Sequence, residues 1–462
     1  MKPALRSLAV AIFLGAAVRA WSQADISPNL ETIRVNRNMP GLSAMAIKDG
    51  RIVAQGAAGV RRQGQSTPLL LTDRNNIGSN TKWITATLVG RLVDRGLLAW
   101  TTRVRDVFDN YQTFNAAFHD ATIDQLLAHR AGVQDGYTWE GRYWSQLMAR
   151  NGTMHQIRRW VSDRALTDPP QVTPGTYLYS NQGYTVVGTM MEIVTGKDWE
   201  VLVDEEIFTP IRMETAALGQ VYDNVVPPKA PVGHNLANGQ TVPVVQAPMN
   251  EATHYRYQAA SGPTGFVGCT LRDIAKFLHV HATSDIGDYL TPATAARLQE
   301  PWTGVGTQGY GRGVQAFDRS WATPGQALQH AGIIFSQQHL FWMAPARNFI
   351  VVVFTNCRST DGRSNSALND VAGLLINSYS NAAASGPLLE NPTPLAVRRL
   401  TDGIAFDFTT LPGVIYRVDG APELPPNWMP MNGPNGEIAG SLQGSFTDTN
   451  PGPRKFYRAV VP

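Results

Sequence analysis

The chain has 462 residues, 43% of them hydrophobic and 16% charged; this excludes a disordered protein and exceeds what one core ordinarily serves, so two domains are expected. The formal charge of +3 equals the contribution of Lys2, Arg6 and Arg19 in the first 24 residues, which hold no acid, so the remainder is neutral overall. No basic tract survives there to suggest a nucleic-acid partner.

Lys2 and Arg6 precede an apolar run over residues 8–18, and small residues follow at Ala20 and at Ser22-Gln23-Ala24. That is the pattern of a secretory signal peptide over residues 1–24, too short for a convincing membrane span. No cysteine stands near the cleavage region to carry a lipid, and no later run reaches the length of a spanning helix. The product is expected to be exported, periplasmic or extracellular, without a transmembrane anchor.

Residues 29–37 are expected to form a short helix ended by Met39-Pro40-Gly41. Strands are predicted over 42–48 and 51–57, joined by the hairpin pair Asp49-Gly50. Next comes Ile77-Gly78-Ser79-Asn80-Thr81-Lys82, followed by Ile84, Leu88 and Leu92 at helical spacing and a stop at Gly96. The segment therefore reads as an amphipathic helix with Ser79 at its first turn. Lys82, three residues on, shares a face with Ser79, so an amine can reach the hydroxyl. A serine needs a base to become nucleophilic, and a lysine buried among apolar groups can lose enough pKa to serve. By itself, Ser-x-x-Lys reads first as a polar cap on an ordinary helix.

Residues 101–136 read as short helices and loops, in which His129 closes a helix before a turn and takes a structural reading. Pro174-Gly175 leads to Tyr177-Leu178-Tyr179-Ser180-Asn181 and a helix over 185–194, placing Tyr179 and Asn181 where the chain leaves a turn. Residues 209–259 look like a long excursion able to wall a pocket. Ser261-Gly262-Pro263-Thr264-Gly265 reads as a lead-in to a helix over 271–280. His279, His281 and Asp285 there are assigned to a solvated surface in preference to a metal site, because His-x-His on a helix splits the rings between faces.

Strands are expected over 310–317, 329–335, 338–343 and 349–354, the last a buried central strand, with a closing helix over 368–380. The fold class is α+β: an antiparallel sheet flanked by helices with an inserted helix and loop subdomain, over residues 25–381. Residues 382–395 have linker composition. Beyond them, Ile404, Phe406 and Phe408, then Val414, Tyr416 and Val418, alternate as strands of an all-β module over 396–462. Cys269 and Cys357 are either one disulfide, which export permits, or two buried thiols.

Three islands, Ser79-x-x-Lys82, Tyr179-Ser180-Asn181 and His330-Ala331-Gly332, follow in this order about a hundred or more residues apart. With them the chain resembles the serine hydrolases of the penicillin-binding-protein fold, the branch holding class C β-lactamases, DD-carboxypeptidases, D-aminopeptidases and related esterases. Pro40-Gly41, Leu126-Leu127-Ala128-His129, Pro174-Gly175 and Phe208-Thr209-Pro210-Ile211-Arg212-Met213 add to the likeness. The resemblance implies that Ser79 attacks an acyl carbonyl while Lys82 and Tyr179 share base and relay work. It also implies that Asn181, His330 and Gly332 line the substrate site, and that the N–H groups of Ser79 and Ile333 form the oxyanion hole. It calls for no cofactor or metal.

Two departures stand out. His330 occupies the place of a lysine in class C β-lactamases, which weakens the cation that would hold a substrate carboxylate. Ile333 is bulky and is expected to narrow its side of the pocket. The partner is thus a small ester, amide or peptide, with esterase leading and D-amino-acid peptidase, DD-carboxypeptidase or weak β-lactamase as alternatives. A binding-only descendant is opposed by the retention of Ser79, Lys82, Tyr179, Asn181 and His330 together, and no Gly-x-Ser-x-Gly elbow supports another nucleophile. The C-terminal module, with Pro412-Gly413, Tyr416, Trp428 and Phe456-Tyr457-Arg458, resembles short β-sandwich tails of secreted proteins. It is read as a spacer or as a contact to a cell surface or glycan.

Overall fold

The computed structural model describes residues 23–135, 143–219, 226–237, 240–243, 251–282, 289–302, 309–389 and a set of strands between 394 and 460. The expected signal peptide, Asp285, Pro412-Gly413 and Trp428 lie outside the described residues. Among the described residues, no helix is long and apolar enough to cross a membrane.

The central sheet has seven strands: β1 (Ala24–Asp25), β2 (Gly41–Lys48), β3 (Arg51–Gly59), β4 (Gln315–Phe317), β5 (Ala327–Ile334), β6 (Gln337–Ala344) and β7 (Phe349–Thr355). Their order is β1-β3-β2-β7-β6-β5-β4. Neighbours are antiparallel except the short edge strand β1, which runs parallel to β3 with Ala24 opposite Ala54. Asp49 and Gly50 take φ of 49° and 70° in the expected two-residue hairpin turn. The β5–β6 turn uses the same left-handed pair at Phe335 and Ser336, without an Asn-Gly signature in the sequence.

The principal helices are α1 (Ser27–Arg37), α2 (Thr81–Asp94), α3 (Met154–Thr167), α4 (Asn181–Thr195), α5 (Trp199–Val203), α6 (Glu251–Gly265), α7 (Leu271–Ala282) and α8 (Arg363–Tyr379). The two-residue period of β7 divides the core: Phe349, Val351 and Val353 pack with α1 and α8, and Ile350, Val352 and Phe354 face α2, α7 and the helical body. The fold class is therefore as expected, one sheet between two helical layers.

Several expectations are corrected. The α2 helix is not amphipathic: Thr81 through Gly90 are all buried, with Trp83 stacked between His281 (4.3 Å) and Phe341 (5.4 Å). Its threonines tolerate burial because Thr85 Oγ1 donates to the Pro263 carbonyl and Thr87 Oγ1 to that of Trp83. His281 is accordingly a core residue, not part of a solvated face. The lead-in 261–265 is the end of α6, which runs through Pro263. Proline cannot donate to the Ala259 carbonyl four residues back, and Arg158 Nε donates to it instead, at 2.9 Å. Of the strand expected over 310–317 only β4 forms, because Gly311-Arg312-Gly313 turns to bring Arg312 into Asp124.

Cys269 and Cys357 are both buried and unbridged. The stretch expected as a linker begins as packed chain: Ile52 N donates to Pro387 O and Leu389 N to Gly50 O, and Arg51 Nη1 reaches Gly386 O. Farther on, Pro394–Leu400, Gly403–Thr409 and Gln443–Asp448 pair as one antiparallel sheet. Ile415–Ala421 pairs with Met429–Pro430, Glu437–Ile438 and Phe456–Val460.

Candidate active site

Gly78–Asn80 is a single 3-10 turn that feeds α2, and it sets Ser79 at the mouth of a buried amine. Lys82 is 0% exposed. Its Nζ lies 3.0 Å from Ser79 Oγ, 2.8 Å from Asn181 Oδ1 and 2.9 Å from the carbonyl oxygen of Thr264. Burial pulls its pKa down to about 7, against the opposing pull of the Asp135 carboxylate. A neutral amine has two N–H groups and one lone pair. Asn181 Oδ1 and Thr264 O can only accept, so the lone pair of neutral Lys82 falls to the one neighbour able to donate, the Ser79 hydroxyl.

Asp135 decides that assignment. Its carboxylate accepts from the Asn181 backbone N–H and from Asn181 Nδ2, both at 3.1 Å. The amide group of Asn181 is thereby oriented, with nitrogen toward the carboxylate and oxygen toward Lys82. Ser180 caps α4 through its side chain, accepting from Gly183 N, which places Asn181 at the first position of the helix.

Burial raises the Tyr179 phenol above its ordinary value, against a smaller opposing effect of the Ser79 hydroxyl. Its ring lies 5.0 Å from Lys82 Nζ. His129 supports this turn: it is buried, its Nδ1 accepts from Ser180 N at 3.1 Å, and its ring packs 4.3 Å from that of Tyr179. Burial holds it well below its usual pKa, so the structural reading of His129 fits.

Strand β5 supplies the third island. His330 and Gly332 face inward, and Ala331 and Ile333 face outward. The outward Ile333 side chain is 45% exposed. A β-carbon on Gly332 would stand 2.7 Å from Ser79 N, and one on Gly78 2.6 Å from Ile333 N. The two backbones that carry the Ser79 and Ile333 amides are therefore in direct contact.

His330 is placed differently from expectation. It is 5% exposed, with Nε2 3.1 Å from Tyr310 Oη and Nδ1 3.2 Å from Asn80 Oδ1. Asn80 Nδ2 is in turn 2.7 Å from His339 Nδ1. Burial lowers the His330 pKa to about 3. A neutral ring with both nitrogens engaged by protein positions Asn80 and the serine turn; it replaces the expected substrate contact.

Residues 25–374 match the protein family described as Beta-lactamase. The chain belongs to the Beta-lactamase family. A curated relative, penicillin-binding protein 4 of Amycolatopsis lactamdurans, is 24% identical over 73% of this chain and 86% of its own length. Among solved structures, the D-amino acid amidase of Ochrobactrum anthropi SV3 superposes with a TM-score of 0.59 at 18% identity, covering 76% of this chain and 98% of that one. EstCE1, a hydrolase with promiscuous acyltransferase activity, superposes at 0.60 and 18% identity, covering 74% and 97%. At these identities the superpositions establish the shared fold, and the family makes this protein a serine hydrolase of the β-lactamase and penicillin-binding-protein type.

Within this family member the structure unites Ser79, Lys82, Tyr179, Asn181, Gly332 and the Ile333 backbone around one point. Sequence reasoning missed Asp135, the Thr264 carbonyl, Asn80 and Tyr310. Asp135 precedes Asn181 by 46 residues with no local pattern. The Thr264 carbonyl is open to Lys82 because α6 ends at Gly265 and the last carbonyls of a helix have no partner within it.

Proposed function

We propose that this protein is an exported hydrolase that cleaves carboxylic esters and small amides through an acyl-enzyme on Ser79. The observation that carries the reading is the fully buried Lys82 amine, 3.0 Å from the serine oxygen, with its pKa drawn to about 7. About half of such an amine is neutral at pH 7, where a general base is most effective.

Ser79 Oγ attacks the substrate carbonyl carbon as its proton passes to the Lys82 lone pair. The carbonyl oxygen becomes an oxyanion held by the N–H groups of Ser79 and Ile333, each worth on the order of 100-fold or more in rate. Tyr179 keeps its proton at neutral pH, because burial raises its pKa, so it acts as a relay and not as the first base. It passes a proton from Lys82 to the departing alkoxide or amine, and the acyl group remains on Ser79. Water then attacks the acyl carbonyl, gives its proton back along the same path and releases the acid.

The neutral, engaged His330 supplies no cation beside the carbonyl site. That favours esters and simple amides over β-lactams and over peptides whose free carboxylate lies next to the scissile bond. Export is supported by the residue 8–18 apolar run and by a family match that begins at residue 25. The test is hydrolysis of p-nitrophenyl butyrate by the mature protein beside a folded Ser79→Ala variant. Turnover by wild type alone supports the reading, and equal turnover by both refutes it.

A further inference from the structure

The end of α4 remote from Asn181 meets the start of α3 and the start of α5, and a second cluster of charge gathers there. Glu192, in the last turn of α4, is 2% exposed. Its Oε1 accepts from Arg158 Nη1 and from the backbone N–H of Trp199, and its Oε2 faces His155 Nδ1 at 3.0 Å. Asp198 stands at the N-cap position of α5, yet its side chain does not cap the helix. The ligating atoms of His155, Glu192 and Asp198 all lie within 4.8 Å of one another.

The charge of this cluster is not balanced. Arg158 also bridges Glu200 Oε1 at 2.5 Å, while Glu200 Oε2 is buried with no hydrogen-bond partner. Three carboxylates, of Glu192, Asp198 and Glu200, therefore share one guanidinium and one imidazole, whose pKa the Glu192 carboxylate raises, so one negative charge is left over when His155 is protonated and two when it is neutral. Lys197, adjacent in sequence, is occupied by Glu205 at 2.6 Å. Glu192 is buried and Asp198 and Glu200 are half-buried; carboxylates removed from water in excess of their cations are costly unless paired or metal-bound.

We propose that His155, Glu192 and Asp198 bind one zinc ion at the junction of α3, α4 and α5. One imidazole nitrogen with two carboxylate oxygens is a zinc donor set, whereas calcium and magnesium prefer oxygen alone. Zinc bonds of about 2.0–2.2 Å place tetrahedral ligand atoms about 3.3 Å apart, and the His155 and Glu192 atoms already stand 3.0 Å apart. His155 and Asp198 are half-buried, which gives the ion an entry path. Water fills the fourth position. The ion acts as a clamp on three helices and takes no part in acyl transfer, since Glu192 and Asn181 are eleven residues, about 16 Å, apart along α4.

The test uses the mature full chain, stripped with a chelator, incubated with zinc chloride and desalted before metal analysis. Retention of one zinc per chain and a melting temperature raised by a few degrees are expected. His155→Gln and Asp198→Asn, with folding checked by circular dichroism, should each lose both effects. A wild type that retains no zinc overturns the proposal, as does equal retention by wild type and both variants, which would mean an adventitious ion only.

Discussion

A methyl group added at Gly332 would stand 2.0 Å from the carbonyl oxygen of Ile77 and 2.7 Å from the amide nitrogen of Ser79. Carbon and its neighbours pack at about 3.5–4.0 Å, so Gly332→Ala forces β5 and the serine turn apart by about 1 Å or more. Both expected oxyanion donors, at Ser79 and Ile333, sit on those two backbones. A donor acts only within about 2.7–3.1 Å of the oxyanion, and loss of one costs about 100- to 1000-fold in kcat, or about 2.7–4 kcal/mol of transition-state stabilisation. Overpacking adds about 1–3 kcal/mol of destabilisation. Burst kinetics with p-nitrophenyl butyrate should find acylation slowed by that factor with KM little changed, in a variant shown by thermal melting to be folded. A folded Gly332→Ala enzyme with kcat within about threefold of wild type would refute this assignment of the oxyanion hole.

Three further outcomes are expected. The pH profile of kcat/KM should rise through about pH 7 as Lys82 loses its proton. Because the Asp135 carboxylate favours the charged amine, Asp135→Asn should move that limb to lower pH; a shift upward or none would contradict the electrostatic role. Asp124→Ala strands the buried guanidinium of Arg312, held by 2.7 and 2.8 Å bonds to both carboxylate oxygens; a loss of about 3–5 kcal/mol is expected in urea denaturation. Deleting residues 396–462 while keeping the packed stretch 386–389 should leave small-ester turnover intact, and a large loss would sink the separate role given to the C-terminal strands.

What the sequence disclosed depended on range. The Asp49-Gly50 hairpin, the apolar run of β7 and the end of α2 before Gly96 are local signals, and each element formed where expected. The three islands located Ser79, Lys82, Tyr179 and Asn181, because their residue types carry chemistry wherever the chain folds. Long-range burial was illegible. The α2 helix reads as amphipathic and His281 as solvated, but Thr85 and Thr87 donate to the carbonyls of Pro263 and Trp83, and the Trp83 ring stacks on His281. His330 pointed to substrate by its motif, and only the fold reveals that Asn80 and Tyr310 take both of its nitrogens. Pro263 read as a loop because a proline ordinarily ends a helix; Arg158, a hundred residues earlier, removes that penalty.

The most direct measurement is rapid quenching of the mature enzyme during turnover of an activated ester, followed by intact mass and peptide mapping. The account predicts a mass increment of one acyl group on the peptide that contains Ser79, absent from Ser79→Ala. An enzyme that turns over with the acyl group on another residue, or with no adduct under conditions where deacylation is slowed, would contradict it.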